Sequence, residues 1–552
     1  MHVMVAAMNT IRMILQRVSA WSVFALAAAL ATCATILSAP TPVAAQAQIS
    51  PFSQALAEAA AEDRDIAAFY RNRAFAPLWT GASETHAARR AALLTAMQGA
   101  STHGLPADSY DTAALLSRLS AVEDARSRAA AEVLLSQTFL AFARDLQTGI
   151  LEPRTVDPGL VLEVPLRDRT ETLTAFAAAE PRAFLRGLAP QGPEYARLVK
   201  ARMTLDRVIR AGGWGLAVSA NRLAPGDSGG AVVALRDRLV AMGYLPRSAT
   251  RVYDAALQTA VQTFQADHGL ETDGVAGTST LRAINVSAEE RLQSVLVAME
   301  RERWLNRDLG ARHILVNLTD FSARVIDDGR ETFRTRAVIG KNTSDRRTPE
   351  FSDVMDHMVI NPSWNVPRSI TTKEYLPKLQ RNRNAVSHLQ VIDSRGRVVP
   401  RGSANFSAYT ARTFPYRLKQ PPSTRNALGL VKFMFPNKYN IYLHDTPAKD
   451  LFAREVRAYS HGCVRLQRPF EFAHTLLAPQ EADPEGFFQA TLDTGRETRV
   501  DMEEPVPVHI TYRTAFTDAK GRVHYRNDIY GRDAAIWRAL SRVGVSLGVP
   551  RG

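Results

Sequence analysis

The stretch Tyr459-Ser460-His461-Gly462-Cys463-Val464-Arg465-Leu466 constrains this chain more than any other. The sequence has two cysteines, and the other, Cys33, lies in an N-terminal apolar run of the kind removed on export. A lone exported cysteine forms no internal disulfide, so packing or chemistry must account for Cys463. A solitary cysteine is most often a small buried hydrophobe. Its neighbours argue for chemistry. Nineteen residues upstream, His444 closes a run, 439–443, in which Ile441 and Leu443 alternate onto one face, which predicts a strand. A base at a strand end and a thiol on a Gly-containing turn can meet across a sheet edge. A free thiol has a pKa of about 8.5, and a neighbouring imidazole or guanidinium stabilises the attacking thiolate. Gly462 lets the backbone turn so that amide groups can face a developing oxyanion.

The segment Ser460-His461-Gly462-Cys463-Val464-Arg465-Leu466, preceded by Tyr442-Leu443-His444-Asp445-Thr446-Pro447, resembles the signature of the L,D-transpeptidase catalytic family. The resemblance implies Cys463 as nucleophile, His444 as its base and His461 as a second active-site histidine. It also places Gly462 and Arg465 in the oxyanion turn, with Tyr442, Trp364 and Ser460 near the substrate. In many members a small residue follows the base histidine and its carbonyl orients the ring; Asp445 stands there in this chain. Zinc ligation by His444, His461 and Cys463 is the rival reading, but a closed site wants four ligands and no fourth soft one lies nearby. No metal and no organic cofactor is expected.

The chain has 552 residues, enough for several domains, and carries a net charge of +13. A basic balance points to an anionic partner. For an exported protein the cell wall takes that place, and nucleic acid is not expected. Residues 1–47 read as an export signal, with Arg12 and Arg17 before the apolar run and small residues at 43–47. Localisation is therefore expected in the periplasm, with an uncleaved inner-membrane anchor as the alternative. The membrane is a partner only through this segment.

An α+β multidomain chain is expected. Residues 48–221 have helical spacing, as in Val133, Phe139, Phe142 and Leu146, and resemble the helical scaffold domain of the larger Gram-negative members. Their aromatic residues read as core. Residues 222–286 resemble a small three-helix peptidoglycan-binding domain, with Val232, Leu235 and Leu239 in the first helix and Leu257, Val261 and Phe264 in the second. Residues 287–552 are assigned to a mostly-β catalytic domain, entered through a connecting helix near 289–306. Strands are expected at 314–318 and 354–360. A hairpin is expected at 323–339, turning on Asp327-Asp328-Gly329, and another at 506–526. Residues 367–425 form an insertion too long for a plain loop, and the resemblance makes it a capping subdomain over the cleft.

The implied activity is a cysteine-dependent acyl transfer forming 3→3 cross-links between peptidoglycan stem tetrapeptides on neighbouring glycan strands. Transfer to water, making a carboxypeptidase, and transfer to an envelope-protein lysine stay open. So does an inactive wall-binding scaffold. A papain-like peptidase is disfavoured because there the base histidine follows the cysteine. The oligomeric state is not legible.

Overall fold

The computed structural model describes residues 50–547; the expected export segment lies outside them. The helical part is centred on Ala125–Thr148, a 24-residue helix started by an Asp124–Ser127 capping box. Inside its first turns sits a buried glutamate. Glu132 accepts from the Tyr70 hydroxyl at 2.9 Å, the Trp79 amide at 2.9 Å and the Thr80 amide at 2.8 Å, so its charge is met by donors from the helix Arg64–Asn72 and from the loop that follows it. Phe69, Tyr70 and Trp79 are buried, as core residues should be.

The helical core does not stop where the scaffold does. The helix Ala288–Trp304 buries Leu292, Val295, Leu296 and Met299 in that same core, and the helix Arg532–Arg542 adds Ile536 and Leu540. Both fall in the range 287–552 read as catalytic domain. They tie the parts together through a buried ionic cluster: Arg301 pairs with Glu350 at 2.5 Å and with Asp533 at 2.9 Å, and Arg532 with Glu350 at 3.0 Å. Breaking one partner of such a cluster leaves an uncompensated buried charge, a loss of about 3–5 kcal/mol.

Three helices, Gly230–Ala241, Ala255–Asp267 and Thr278–Asn285, enclose a separate small core around Val232, Leu235, Leu257, Val261 and Phe264. Asp254 caps the second through the Leu257 amide. The first starts on Gly229, which has no side chain to cap it, and Asp227 just before it accepts from the Ala224 amide.

The catalytic part is a closed sheet. Strands β1 (Arg312–Asn317), β2 (Ser322–Asp327) and β3 (Arg330–Gly340) form a meander. Its second turn, between β2 and β3, has Asp328 and Gly329 both at positive φ, as a two-residue primed turn requires. Strand β4 (Phe351–Ile360) follows. The cap then contributes β5 (Trp364–Asn365), β6 (Gln390–Ile392) and β7 (Arg417–Gln420), a separate three-stranded sheet. The main sheet resumes with β8 (Val431–Met434), β9 (Leu443–His444), β10 (Ala458–Ser460), β11 (Val464–Leu466) and β12 (Thr498–Thr511). Its order is β10-β3-β11-β9-β8-β4-β12-β1-β2, and the β2–β3 pairing joins the two sides. Closure of this kind removes exposed edges.

Two expectations differ from what is observed. The strand read at 439–443 is reduced to Leu443–His444, because Asn440 sits at φ 54° and the Asn437 side chain gathers the amides of Tyr439 and Ile441 into a turn. The hairpin read at 506–526 is two things: β12, a long strand between β4 and β1, and a short hairpin of β13 (Ala515–Thr517) with β14 (Val523–Tyr525). Strand β12 slips register between Asp501 and Val506, where Pro505 cannot donate to a ladder.

The insertion is a folded unit. Leu376, Leu379, Leu389, Val391, Phe406, Phe414 and Leu418 make its own core, which Trp364 and Leu428 complete from the flanks. Its helix, Leu376–Arg381, is preceded by a wider turn over Thr371–Tyr375.

Candidate active site

Strands β9 and β11 run parallel, with Leu443 opposite Val464 and His444 opposite Arg465. That register puts Cys463 at the start of β11, beside the strand that ends in His444. Both residues line one cavity of about 700 Å³ beneath the cap, together with Trp364, Tyr442, Ser460, His461 and Arg465. Of the residues singled out around the thiol and the base histidine, Gly462 and Asp445 do not border this space.

The turn is fixed by short bonds. Gly462 has φ 122°, and a Cβ there would press on Ile441 at 3.2 Å, so only glycine fits without strain. Its carbonyl accepts from Thr348 Oγ1 at 2.7 Å, and Thr348 in turn accepts from the Gly340 amide at 3.0 Å. Ser460 Oγ donates to the Cys463 carbonyl at 2.5 Å and accepts from the Gly462 amide at 3.1 Å. Ser460 and Gly462 thus hold the turn to itself, and the Gly462 N–H is already engaged. Among the described residues the Cys463 N–H has no hydrogen-bond partner, which leaves it as the donor free for an oxyanion.

The thiol makes no hydrogen bond to His444 in this resting arrangement. It donates to the Asn440 carbonyl at 3.5 Å and receives hydrogen bonds from Tyr442. Burial pushes the thiol up to about 11, while Tyr442 and the Arg465 charge oppose that rise. His444 is 4% exposed. Burial, and then Arg465, push it down to about 3, against the carbonyls of Asp445 and Leu428. Both groups are therefore neutral over the middle pH range. His444 Nδ1 lies 2.5 Å from the Asp445 carbonyl, so that nitrogen carries the hydrogen and Nε2 holds the lone pair.

Asp445 keeps the orienting function that its backbone would have with a small residue there. Its carboxylate is occupied elsewhere: Oδ2 accepts from the Leu430 amide at 2.9 Å and Oδ1 from Lys449 at 2.6 Å. The carboxylate lies where a Cβ on Gly429 would be, 2.2 Å from Oδ2, which accounts for glycine at that position.

Arg465 has no ion-pair partner among the described residues, and its buried Nε makes no hydrogen bond. A guanidinium so placed suits a substrate carboxylate. Trp364 serves two ends, packing in the cap core beside Tyr375 at a ring separation of 6.3 Å and also lining the cavity. His461 Nε2 lies 2.7 Å from Glu374 Oε1, in the cap. Among the described residues no three His, Cys, Asp or Glu side chains gather as a metal site would need.

Sequence reasoning missed Thr348 and Glu374. Each meets the turn from far along the chain, 114 and 87 positions away, and neither carries a local signal.

Residues 311–508 match the family described as "L,D-transpeptidase catalytic domain". This part of the chain is an L,D-transpeptidase catalytic domain. Residues 228–284 match the "Putative peptidoglycan binding domain" family and residues 64–201 the scaffold domain. A curated Haemophilus influenzae protein named "Putative L,D-transpeptidase" is 33% identical over 226 residues, 40% of this chain and 45% of that protein. The chain thus spans less than half the length of this relative. An L,D-transpeptidase structure from Stackebrandtia nassauensis is 15% identical, covering 54% of this chain and 97% of its own, at a TM-score of 0.21. One from Xylanimonas cellulosilytica is 16% identical, covering 53% and 98%, at 0.16. Likenesses at those scores carry no weight beside the family matches.

Proposed function

We propose that this L,D-transpeptidase is exported to the periplasm and joins peptidoglycan stem peptides by 3→3 cross-links through a thioester on Cys463. The observation that carries the reading is one cavity bordered by a single thiol and by a neutral histidine whose Nδ1 is tied to the Asp445 carbonyl.

In this mechanism Cys463 Sγ attacks the carbonyl of the third stem residue, diaminopimelate. His444 Nε2 takes the thiol proton as the C–S bond forms, so the high thiol pKa does not require a standing thiolate. The carbonyl electrons move onto oxygen, which faces the Cys463 N–H. One such donor is worth about 3–4 kcal/mol of transition-state stabilisation. Collapse expels the terminal D-Ala, whose nitrogen receives the proton from His444. The side-chain amine of a second stem then attacks the thioester and gives its proton to His444. Collapse forms the new amide and returns that proton to sulfur. Arg465 meets a stem carboxylate.

The test is incubation with a disaccharide tetrapeptide, followed by mass spectrometry of products and of the intact protein. Loss of D-Ala, a dimer, and an acyl adduct absent from Cys463→Ala are expected. Turnover by folded Cys463→Ala overturns the nucleophile assignment. Tripeptide without dimer in excess acceptor makes the enzyme a carboxypeptidase.

A further inference from the structure

A second cavity, of about 390 Å³, lies where the three-helix unit meets the helix Pro193–Arg210, the helix Ala288–Trp304 and the β13–β14 hairpin. It shares no lining residue with the catalytic cavity. Its walls are unusual in pairing rings with uncommitted cations. Trp214, Tyr244 and Tyr525 supply the rings.

Arg291 is the decisive residue. It is only 9% exposed, yet among the described residues no carboxylate pairs with it. Its guanidinium lies 4.3 Å from the Tyr525 ring centre, and Nη2 donates to the Ala283 carbonyl at 3.0 Å. The nearby acids are committed elsewhere. Asp267 is held by Arg522 at 2.9 Å and by the Tyr244 hydroxyl, and Glu290 accepts from the Ser287 amide at 2.8 Å. A buried charge without a counter-ion is costly, and a cation–π contact offsets only part of that cost. Lys200 and Lys520, exposed and without an ion pair among the described residues, add positive charge to the same cavity.

The geometry points to this seam as a second binding site, taking a carboxylate borne beside a sugar ring or an apolar peptide segment of a cell-wall fragment. The rings would receive the flat or apolar part, and Arg291 and Lys520 the charge. The assignment rests on the peptidoglycan reading above and deepens it: the three-helix unit would bind not alone but with walls lent by the scaffold and the catalytic part. Muramic acid offers such a carboxylate where its lactyl group carries no stem peptide, and the stem peptide offers its own.

The test is calorimetric titration of the full chain with N-acetylmuramic acid, with the stem tripeptide and with neutral N-acetylglucosamine trimer. At least one carboxylate probe should bind more tightly than the neutral trimer. Arg291→Gln should weaken that probe about tenfold or more, as loss of a charge-assisted hydrogen bond implies. Lys520→Ala should weaken it less. Should Arg291→Gln fail a thermal-unfolding control, Trp214→Ala and Lys520→Glu at the same cavity give the answer. A response to N-acetylmuramic acid identifies the sugar as source, and a response to tripeptide alone identifies the stem. The site is overturned if neither carboxylate probe binds, if the neutral trimer binds as well as they do, or if every variant binds like the parent. Turnover of tetrapeptide with no binding here removes this site alone, whereas absence of turnover removes the reading beneath it.

Discussion

Glu374 in the cap lies 2.7 Å from His461, two residues before the thiol, and accepts from Arg346 at the same distance. Lys373 and Asp345 form a second bridge at 3.0 Å between the cap and the β3–β4 loop. The cap is therefore tied to the catalytic turn through His461 and to the β3–β4 loop through Arg346 and Asp345. These pairs are partly exposed, so each contributes only about 0.2–1 kcal/mol.

Replacing Glu374 by Gln keeps the shape and removes the charge. The fold should be unaffected, and KM for a stem tetrapeptide should change about two- to fivefold, the scale of one or two such pairs. Steady-state kinetics and hydrogen exchange over 371–375 measure this. Unchanged KM together with unchanged exchange would mean that the bridge does not hold the cap.

The thiol makes a pH prediction with a definite sign. Its pKa is raised to about 11, so the thiol form prevails below that value and thiolate grows with pH. Alkylation by iodoacetamide should climb about tenfold per pH unit past 8.5, the free-thiol value, without a plateau there. Hydrogen bonds from Tyr442 lower the pKa, so Tyr442→Phe should slow alkylation at any fixed pH below 11. A plateau near 8.5 in the parent contradicts the burial argument.

Thr348 bridges the Gly340 amide and the Gly462 carbonyl and is fully buried. Thr348→Val keeps the volume and leaves both backbone groups unmet, at about 1–3 kcal/mol for each. We expect a lower melting temperature and a kcat loss larger than any change in KM, because the turn that aims Cys463 is loosened. Thr348→Ser should recover most of both. If valine is tolerated in kcat, the bridge is structural only.

The parts legible in the sequence were those written locally. The turn around Cys463, the strand end at His444, the hairpin on Asp328-Gly329 and the three short helices each carry their signal within a few residues. What lay hidden depends on partners distant in the chain. Helix 288–304 looks like a connector, and only the packed structure shows its apolar residues within the scaffold's core. Strand β12 begins at Thr498, eight residues before the hairpin expected at 506–526, and passes Pro505 at a register slip that local alternation does not record. Asn440 broke an apparent strand because alternation of Ile441 and Leu443 carries no record of a positive φ nearby.

On the proposed mechanism, the cap is expected to bear on which acceptor takes the acyl group. A transpeptidase must admit an amine while keeping water from the thioester, and a covered cavity suppresses hydrolysis. The cap has a core of its own, so it can exclude solvent as a rigid body rather than as a loose loop. Shortening 367–425 to a Gly/Ser loop would strip the partners from Trp364 and Leu428, which are 8% and 5% exposed in the intact chain. The shortened variant should therefore also carry Trp364→Thr and Leu428→Thr, with circular dichroism to confirm the closed sheet. The intact enzyme is expected to convert tetrapeptide muropeptides chiefly to 3→3 dimers, and the shortened one to shift toward tripeptide. Mass spectrometry of both product pools gives the partition. An unchanged partition in the folded, shortened enzyme would show that acceptor choice resides in the β-sheet cleft and not in the cap.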